Sequence, residues 1–347
     1  MISQVLFVIL FFLNPLAVLG SFDNLSSNIG GFLSWPSSAS AFIADSKNES
    51  RQVERGVLPL SANFKSSAIN SFSPDFLPIR DWEVPNKEIE AKAALVALVT
   101  CEKSGVSKKE PLKPIQSRIL FQKNSYQTLP IASLTKLMTA MVVLDNVSTE
   151  KKVVVSEKAI STHGEMGNLQ LNEEIKVKDL LEALLIESSN DAAVALAEKV
   201  EESTGSDFIV LMNNKANELG LKKTKFVGPA GLDKDNMSSA KDLHLLMRYA
   251  FNYSLIWDIL KTPIKLKYNQ NGYPSHRWIN TNKLLSQIPE IIGGKTGYTH
   301  EAKECFVVAL KKQPQKYLIF IILGSDARFY ETKELINWID EAYKWQS

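Results

Sequence analysis

Pro130-Ile131-Ala132-Ser133-Leu134-Thr135-Lys136-Leu137-Met138-Thr139-Ala140 places a Ser and a Lys three residues apart where the pattern predicts a helix start. At i and i+3 two side chains share a helix face, so the Lys amine reaches the Ser hydroxyl when both point into a cleft. A Ser hydroxyl is a weak nucleophile until a neighbouring base takes its proton. A Lys serves as that base only when desolvation or nearby positive charge lowers its pKa, and burial alone moves it by up to about 3–5 units. Leu134, Leu137 and Met138 supply an apolar setting. The spacing by itself decides nothing, because Ser238-Ser239-Ala240-Lys241 repeats it. There the following Asp242-Leu243 reads as a helix whose free N-terminal N–H a Ser hydroxyl caps.

Outward from this stretch the chain turns regular. The apolar run 93–99 reads as a buried strand and 118–121 as its partner, after a Lys-rich connection containing Pro. Residues 151–155 predict another strand. The segment 177–185 repeats apolar residues at helical spacing, and a second helix opens at Ala192, so Ser188-Ser189-Asn190 falls on an interhelical turn. Gly220 closes a helix, 239–252 forms another, and Asn269-Gln270-Asn271-Gly272 signals a hairpin. Gly293-Gly294-Lys295-Thr296-Gly297-Tyr298-Thr299 leads into two adjacent strands, 305–310 and 317–323. A last helix, 331–343, carries Leu335, Ile336, Ile339 and Tyr343 on one stripe. Strands at both ends with helices between them predict an α+β body whose sheet is closed by the two ends of the chain coming together.

The 347 residues are 45% hydrophobic, enough for a sizeable core, and 40 basic against 38 acidic residues give a net charge of +2. That balance argues against nucleic acid as a partner. Residues 1–20 read as a signal peptide or an N-terminal membrane anchor: Val5 to Leu13 is apolar, although no Lys or Arg precedes it. A buried core helix is the structural alternative for this segment. Ala39-Ser40-Ala41 has the form of a cleavage site but lies well downstream. Residues 21–90 are rich in Ser, Asn, Pro and Gly without sustained period and read as a tether, though 76–79 and Trp82 have the character of chain lying on a folded body. The regular domain then spans 91–347. Cys101 and Cys305 are expected as buried free thiols. His163, His244, His276 and His300 lack the spacing of a zinc site, so no metal and no organic cofactor is expected.

Three short motifs sharpen the reading when taken in order: Ser133-x-x-Lys136, Ser188-x-Asn190 on a turn between helices, and Lys295-Thr296-Gly297 ahead of a strong strand. Each alone is common; Ser26-Ser27-Asn28 already matches the second. Together they form the motif set of penicillin-binding proteins and class A β-lactamases. From about residue 91 to the end the chain resembles the D-alanyl-D-alanine carboxypeptidases, the low-molecular-mass serine penicillin-binding proteins. The likeness is close around Ser133 and extends to 190–197, 228–233 and 280–285.

The resemblance implies a β-lactamase/transpeptidase-like fold, an antiparallel sheet flanked by helices plus a helical subdomain with the site between them, and makes 91–347 a serine D,D-peptidase domain. It implies that Ser133 attacks the carbonyl of the penultimate D-Ala and that Lys136 takes its proton. Ser188 would pass a proton to the leaving amine and Asn190 would hold the substrate amide and Lys136. Lys295 and Thr296 would grip the terminal carboxylate, Gly297 would leave room for substrate, and the N–H groups of Ser133 and Tyr298 would form the oxyanion hole. The partners implied are peptidoglycan stem peptides ending in D-Ala-D-Ala, with β-lactams as inhibitors, in the cell envelope outside the cytoplasm. A D,D-endopeptidase and a non-catalytic wall-binding homologue remain alternatives, and a class A β-lactamase is disfavoured because the family's Glu-containing loop motif is not evident.

Two positions depart from the family's text. Ser189 stands where Gly is usual, which predicts a narrower pocket or an added hydroxyl. Lys303 stands where Gly usually follows Ala302, which predicts strain if the turn needs a positive φ. The chain stops at Ser347, so the extra β domain and C-terminal anchor of many relatives are expected to be absent and any membrane attachment to be N-terminal.

Overall fold

In this computed structural model the described residues are 77–103, 112–164, 168–269 and 271–345. The apolar segment 1–20, the tether as far as residue 76 and the Ser-x-Asn match at 26–28 lie outside them. In chain order the body runs β1 (Ile79–Arg80), β2 (Ala93–Lys103), β3 (Leu112–Lys123), β4 (Leu129–Pro130), α1 (Thr135–Asn146), β5 (Lys152–Val154), α2 (Glu157–Ile160), β6 (Glu174–Lys176) and α3 (Val177–Glu182). It continues through α4 (Asn190–Thr204), α5 (Phe208–Glu218), β7 (Met237–Ser238), α6 (Ala240–Ala250), α7 (Ser254–Leu260), β8 (Ile264–Tyr268) and β9 (Pro274–Ile279). It ends with β10 (Ile291–Thr299), β11 (Lys303–Gln313), β12 (Lys316–Ser325), α8 (Arg328–Ala342) and β13 (Tyr343–Lys344).

The long apolar runs are continuous because their strands are buried on both faces. Ala93, Leu95, Ala97 and Val99 of β2, with Ile319, Ile321 and Leu323 of β12, enter one core with α1, α4 and α6. Ala94, Val96, Leu98, Leu318, Phe320 and Ile322 enter a second core beneath α8. The sheet order is β10-β11-β12-β2-β3, all pairs antiparallel. Pairing of β12 with β2, Ile319 opposite Ala97, joins the two ends of the domain and gives the expected α+β architecture. Cys101 and Cys305 are free and buried in the first core, as expected.

Three differences from the sequence reading have physical reasons. β2 and β3 are longer than the apolar runs that betray them, and β3 includes Pro114 opposite Cys101. Proline is tolerated there because β3 is an edge strand and the pairing shifts at that point. Residues 77–90, assigned to the tether, pack on the body. Ile79 and Arg80 pair with Lys344 and Tyr343, Leu77 and Val84 lie against the second core, and Ile89 and Ala91 are buried in it. Such residues fill gaps beside α8 one at a time and so carry no period to read. The third difference concerns 291–299, which form a full strand at the open edge of the sheet.

Candidate active site

A 3-10 turn, Ala132–Leu134, carries Ser133 into α1. Ala132 takes a left-handed φ of 47°, and the loop through Gly231 presses on it so closely that a Cβ at Gly231 would stand 2.0 Å from the Ala132 oxygen. One turn on, Lys136 is wholly buried. Its Nζ lies 2.8 Å from Ser133 Oγ, 2.8 Å from Asn190 Oδ1 and 2.6 Å from the Ala230 oxygen. The amide and carbonyl oxygens only accept. A neutral amine satisfies both with its two N–H groups and keeps its lone pair for the Ser133 hydroxyl. Burial, with the charge of Lys295 nearby, holds the Lys136 pKa well below its usual range. Geometry and electrostatics agree on an amine held toward its neutral form beside an alcohol.

The second wall comes from the helical side. α3 passes into a π-helical turn, Ala183–Glu187, and Ser188 follows with φ 72°. A non-glycine residue in that region costs about 1–2 kcal/mol. Asn190 opens α4, and its amide is oriented from both ends: Oδ1 accepts from Lys136 while Nδ2 donates to the His163 oxygen at 3.0 Å. Gly164, with φ 118°, permits this approach, since a Cβ there would meet Asn190 Nδ2 at 2.3 Å.

The third piece is β10. Its register sets Lys295 opposite Val307 and Gly297 opposite Cys305, both in the core shared with α1, so Lys295 turns toward the helices. Lys295 is buried, and its Nζ donates to Ser188 Oγ at 2.8 Å and to the Thr296 oxygen at 3.0 Å. Burial and the Arg328 guanidinium push its pKa down to about 7. Thr296 Oγ1 shares a 2.6 Å hydrogen bond with Thr281 Oγ1. Among the described residues neither buried Lys contacts a carboxylate; their partners are neutral oxygens. In its ammonium form, Lys295 without a touching carboxylate suits an anionic ligand group.

A family model described as D-alanyl-D-alanine carboxypeptidase matches residues 115–327. The chain belongs to that family. It is 34% identical over 233 residues to D-alanyl-D-alanine carboxypeptidase DacF of Bacillus subtilis, covering 65% of this chain and 59% of that one. It therefore spans about three-fifths of that relative's length. With a D-alanyl-D-alanine endopeptidase of Pseudomonas aeruginosa it shares 31% identity over 229 residues, 64% of this chain and 73% of the relative. Among solved structures, the Streptomyces K15 DD-transpeptidase is similar with a TM-score of 0.62 and 28% identity, over 74% of this chain and 98% of that one. An evolved putative penicillin-binding protein homologue from Mycobacterium tuberculosis gives 0.63 and 26%, over 75% and 94%.

Within the carboxypeptidase family's pattern, the two departures find their partners away from Ser133 and the two lysines. Ser189 is fully buried and its Oγ accepts from Ala192 N at 2.9 Å, so the hydroxyl caps α4 and is turned to the helix. Lys303 adopts φ 55°, the strained turn foreseen, and its Nζ pairs with Asp326 at 2.8 Å. Gly297 has a second reason beside the one drawn from sequence. A Cβ there would stand 2.9 Å from the Ile131 oxygen, 3.1 Å from Ser133 N and 3.2 Å from Ala132 Cβ. Glycine lets β10 lie against the Ser133 turn. The Tyr298 side chain stays 65% exposed.

Four contributors escaped the sequence. Ala230 offers only a backbone oxygen, and Gly164 only its lack of a side chain. Thr281 N donates to the Ile186 oxygen at 3.2 Å while its hydroxyl holds Thr296. Arg328, at the start of α8, donates from Nη1 to the Gly297 oxygen at 2.8 Å and from its backbone N to Glu304 Oε2 at 3.0 Å. None belongs to a spaced motif; the family likeness over 228–233 and 280–285 takes in Ala230 and Thr281 without giving either a role.

Proposed function

We propose that the protein is a serine D-Ala-D-Ala carboxypeptidase that removes the terminal D-Ala from peptidoglycan stem peptides. The observation that carries this reading is the buried Lys136 amine 2.8 Å from the Ser133 hydroxyl. Ser133 Oγ attacks the carbonyl carbon of the penultimate D-Ala as Lys136 takes its proton, and the carbonyl oxygen becomes an oxyanion. The N–H groups of Ser133 and Tyr298 receive that charge, each such donor being worth about 2.7–4 kcal/mol of barrier. The Thr296 oxygen faces Lys295, and a strand's two-residue period turns the Tyr298 backbone to the same edge. Collapse breaks the C–N bond, Ser188 passes a proton to the departing amine and regains one from the Lys136 ammonium, and D-Ala leaves an acyl-enzyme behind with Lys136 neutral again. Water then hydrolyses the ester with Lys136 again as base. Asn190 holds the substrate amide, and Lys295 with Thr296 holds its terminal carboxylate. A β-lactam acylates Ser133 by the same attack.

Purified protein incubated with a D-Ala-D-Ala pentapeptide is expected to release D-Ala and to be labelled by a fluorescent penicillin, while Ser133→Ala does neither. Release that persists in Ser133→Ala sinks the reading.

A D,D-endopeptidase is the second reading. It is favoured by the 31% identity to the Pseudomonas endopeptidase over 73% of that relative's length. Cleavage of a crosslinked dimer in preference to the pentapeptide selects it. The non-catalytic wall-binding reading loses the part of its motivation that rested on Ser189, whose hydroxyl caps a helix. Either activity belongs in the cell envelope. Among the described residues no helix is long and apolar enough to cross a membrane.

A further inference from the structure

The hairpin β8–β9 has two unlike faces. Ile264, Leu266, Tyr268 and Ile279 are exposed on one. The register sets Lys265 opposite Trp278 and Lys267 opposite His276 on the other. Each basic residue of this inner face meets a carboxylate of the helical side: Lys265 with Glu182 at 2.8 Å, Lys267 with Asp179 at 3.6 Å, and His276 Nε2 with Glu173 at 2.8 and 3.0 Å. The buried Trp278 stacks on the His276 ring, centroids 5.6 Å apart and planes within 13°.

Glu173 precedes β6, and Asp179 and Glu182 lie on α3, so the three pairs follow the chain that leads into the π-helical turn and Ser188. The segment leaving the hairpin continues the tie. Thr281 N bonds to Ile186 inside that turn and the Thr281 hydroxyl bonds to Thr296 on β10. A side chain held at φ 72° persists only where its surroundings over-determine it.

We infer that the β8–β9 hairpin is the positioning element for Ser188, with His276, Lys265 and Lys267 as positioning residues. They fix α3 and the π-helical turn so that the Ser188 hydroxyl stays at 2.8 Å from Lys295 Nζ. This rests on the role proposed above for Ser188, through which all three act.

The test uses the full chain carrying His276→Gln or Glu173→Gln, singly and together, with and without Ser188→Ala. D-Ala release and penicillin labelling are the readouts, and a thermal melt controls for folding. Each single change is expected to lower kcat about tenfold with KM held within about twofold, because Lys295 and Thr296 still grip the carboxylate. In the Ser188→Ala background the same changes are expected to move kcat by less than about twofold. Lys267→Gln, at the looser pair, replaces His276→Gln where the melt shows loss of fold, with the same pattern expected at smaller size. Equal losses in both backgrounds, or a rise in KM with kcat unchanged, overturn the inference. If Ser188→Ala alone leaves kcat unchanged, the role of Ser188 falls and this inference with it, while labelling of Ser133 keeps the proposed activity standing.

Discussion

Lys295 Nζ donates to Ser188 Oγ over 2.8 Å from a side chain with no exposure to water. Holding a carboxylate requires its ammonium form, whereas Lys136 acts only as the neutral amine. The free enzyme's kcat/KM is therefore expected to rise as Lys136 loses its proton and to fall from about pH 7 upward as Lys295 loses its own. A bound carboxylate stabilises the Lys295 ammonium, so the falling limb of kcat lies at higher pH than that of kcat/KM. Rates of D-Ala release across about pH 5–9 check both limbs; a kcat/KM that stays level above neutrality contradicts the assignment.

The same burial predicts a stability trend. The Lys295 pKa is lowered from 10.5 to about 7, so between those values the unfolded chain binds more protons than the folded one. Stability then rises with pH through that window and is lowest below it, where the buried ammonium is retained. In thermal melts Lys295→Met is expected to remove this contribution, and an unchanged slope against pH counts against it.

At Gly297 the neighbours a Cβ would strike are mostly backbone atoms, which cannot turn aside. Gly297→Ala is expected to cost about 1–3 kcal/mol of stability by overpacking and to slow acylation roughly 100-fold by displacing Ser133. Penicillin labelling rates and urea denaturation measure the two effects separately.

Ser189 offers a contrast because its hydroxyl serves the helix. Ser189→Ala is expected to lose about 1 kcal/mol and Ser189→Gly only a few tenths, with labelling of Ser133 within about twofold of wild type in both. A large gain in rate for Ser189→Gly contradicts this assignment.

For Lys303 the useful comparison is between two replacements. Both lose the exposed pair with Asp326, but only glycine relieves the φ of 55°. Lys303→Gly is expected to be more stable than Lys303→Ala by about 1 kcal/mol, with equal activity. Equal stabilities by denaturant titration sink the claim of strain at this turn.

The site was legible wherever its chemistry rides on local spacing. Ser133 with Lys136, and Ser188 with Asn190, sit within one turn of each other in sequence, and the structure brings both pairs to Lys295. The strand that carries Lys295 was hidden because Gly293, Gly294 and Gly297 dilute the β-branched signal of a strand, and at Gly297 the dilution is what close approach to Ser133 demands. Ser189 is read against the family's glycine instead of by the capping rule applied to Ser238-Ser239, where the structure gives the cap to Ser239, whose Oγ accepts from Asp242 N at 3.1 Å. Ala230, Thr281 and Arg328 act across long sequence separations through backbone oxygens or single bonds, and no periodicity encodes such contacts.

The pairing of β12 with β2 has a temporal side. A chain synthesised from its N-terminus contains Ser133 and Lys136 well before Lys295 exists to face Ser188, and β2 waits for β12, the central strand, which is made after every other strand of the sheet. Non-local pairing of this sort slows folding. The nascent polypeptide therefore cannot complete the sheet that carries Lys295 to Ser188 at any length short of the last long strand, and Ser133 meets its full set of neighbours only once the domain has closed around it.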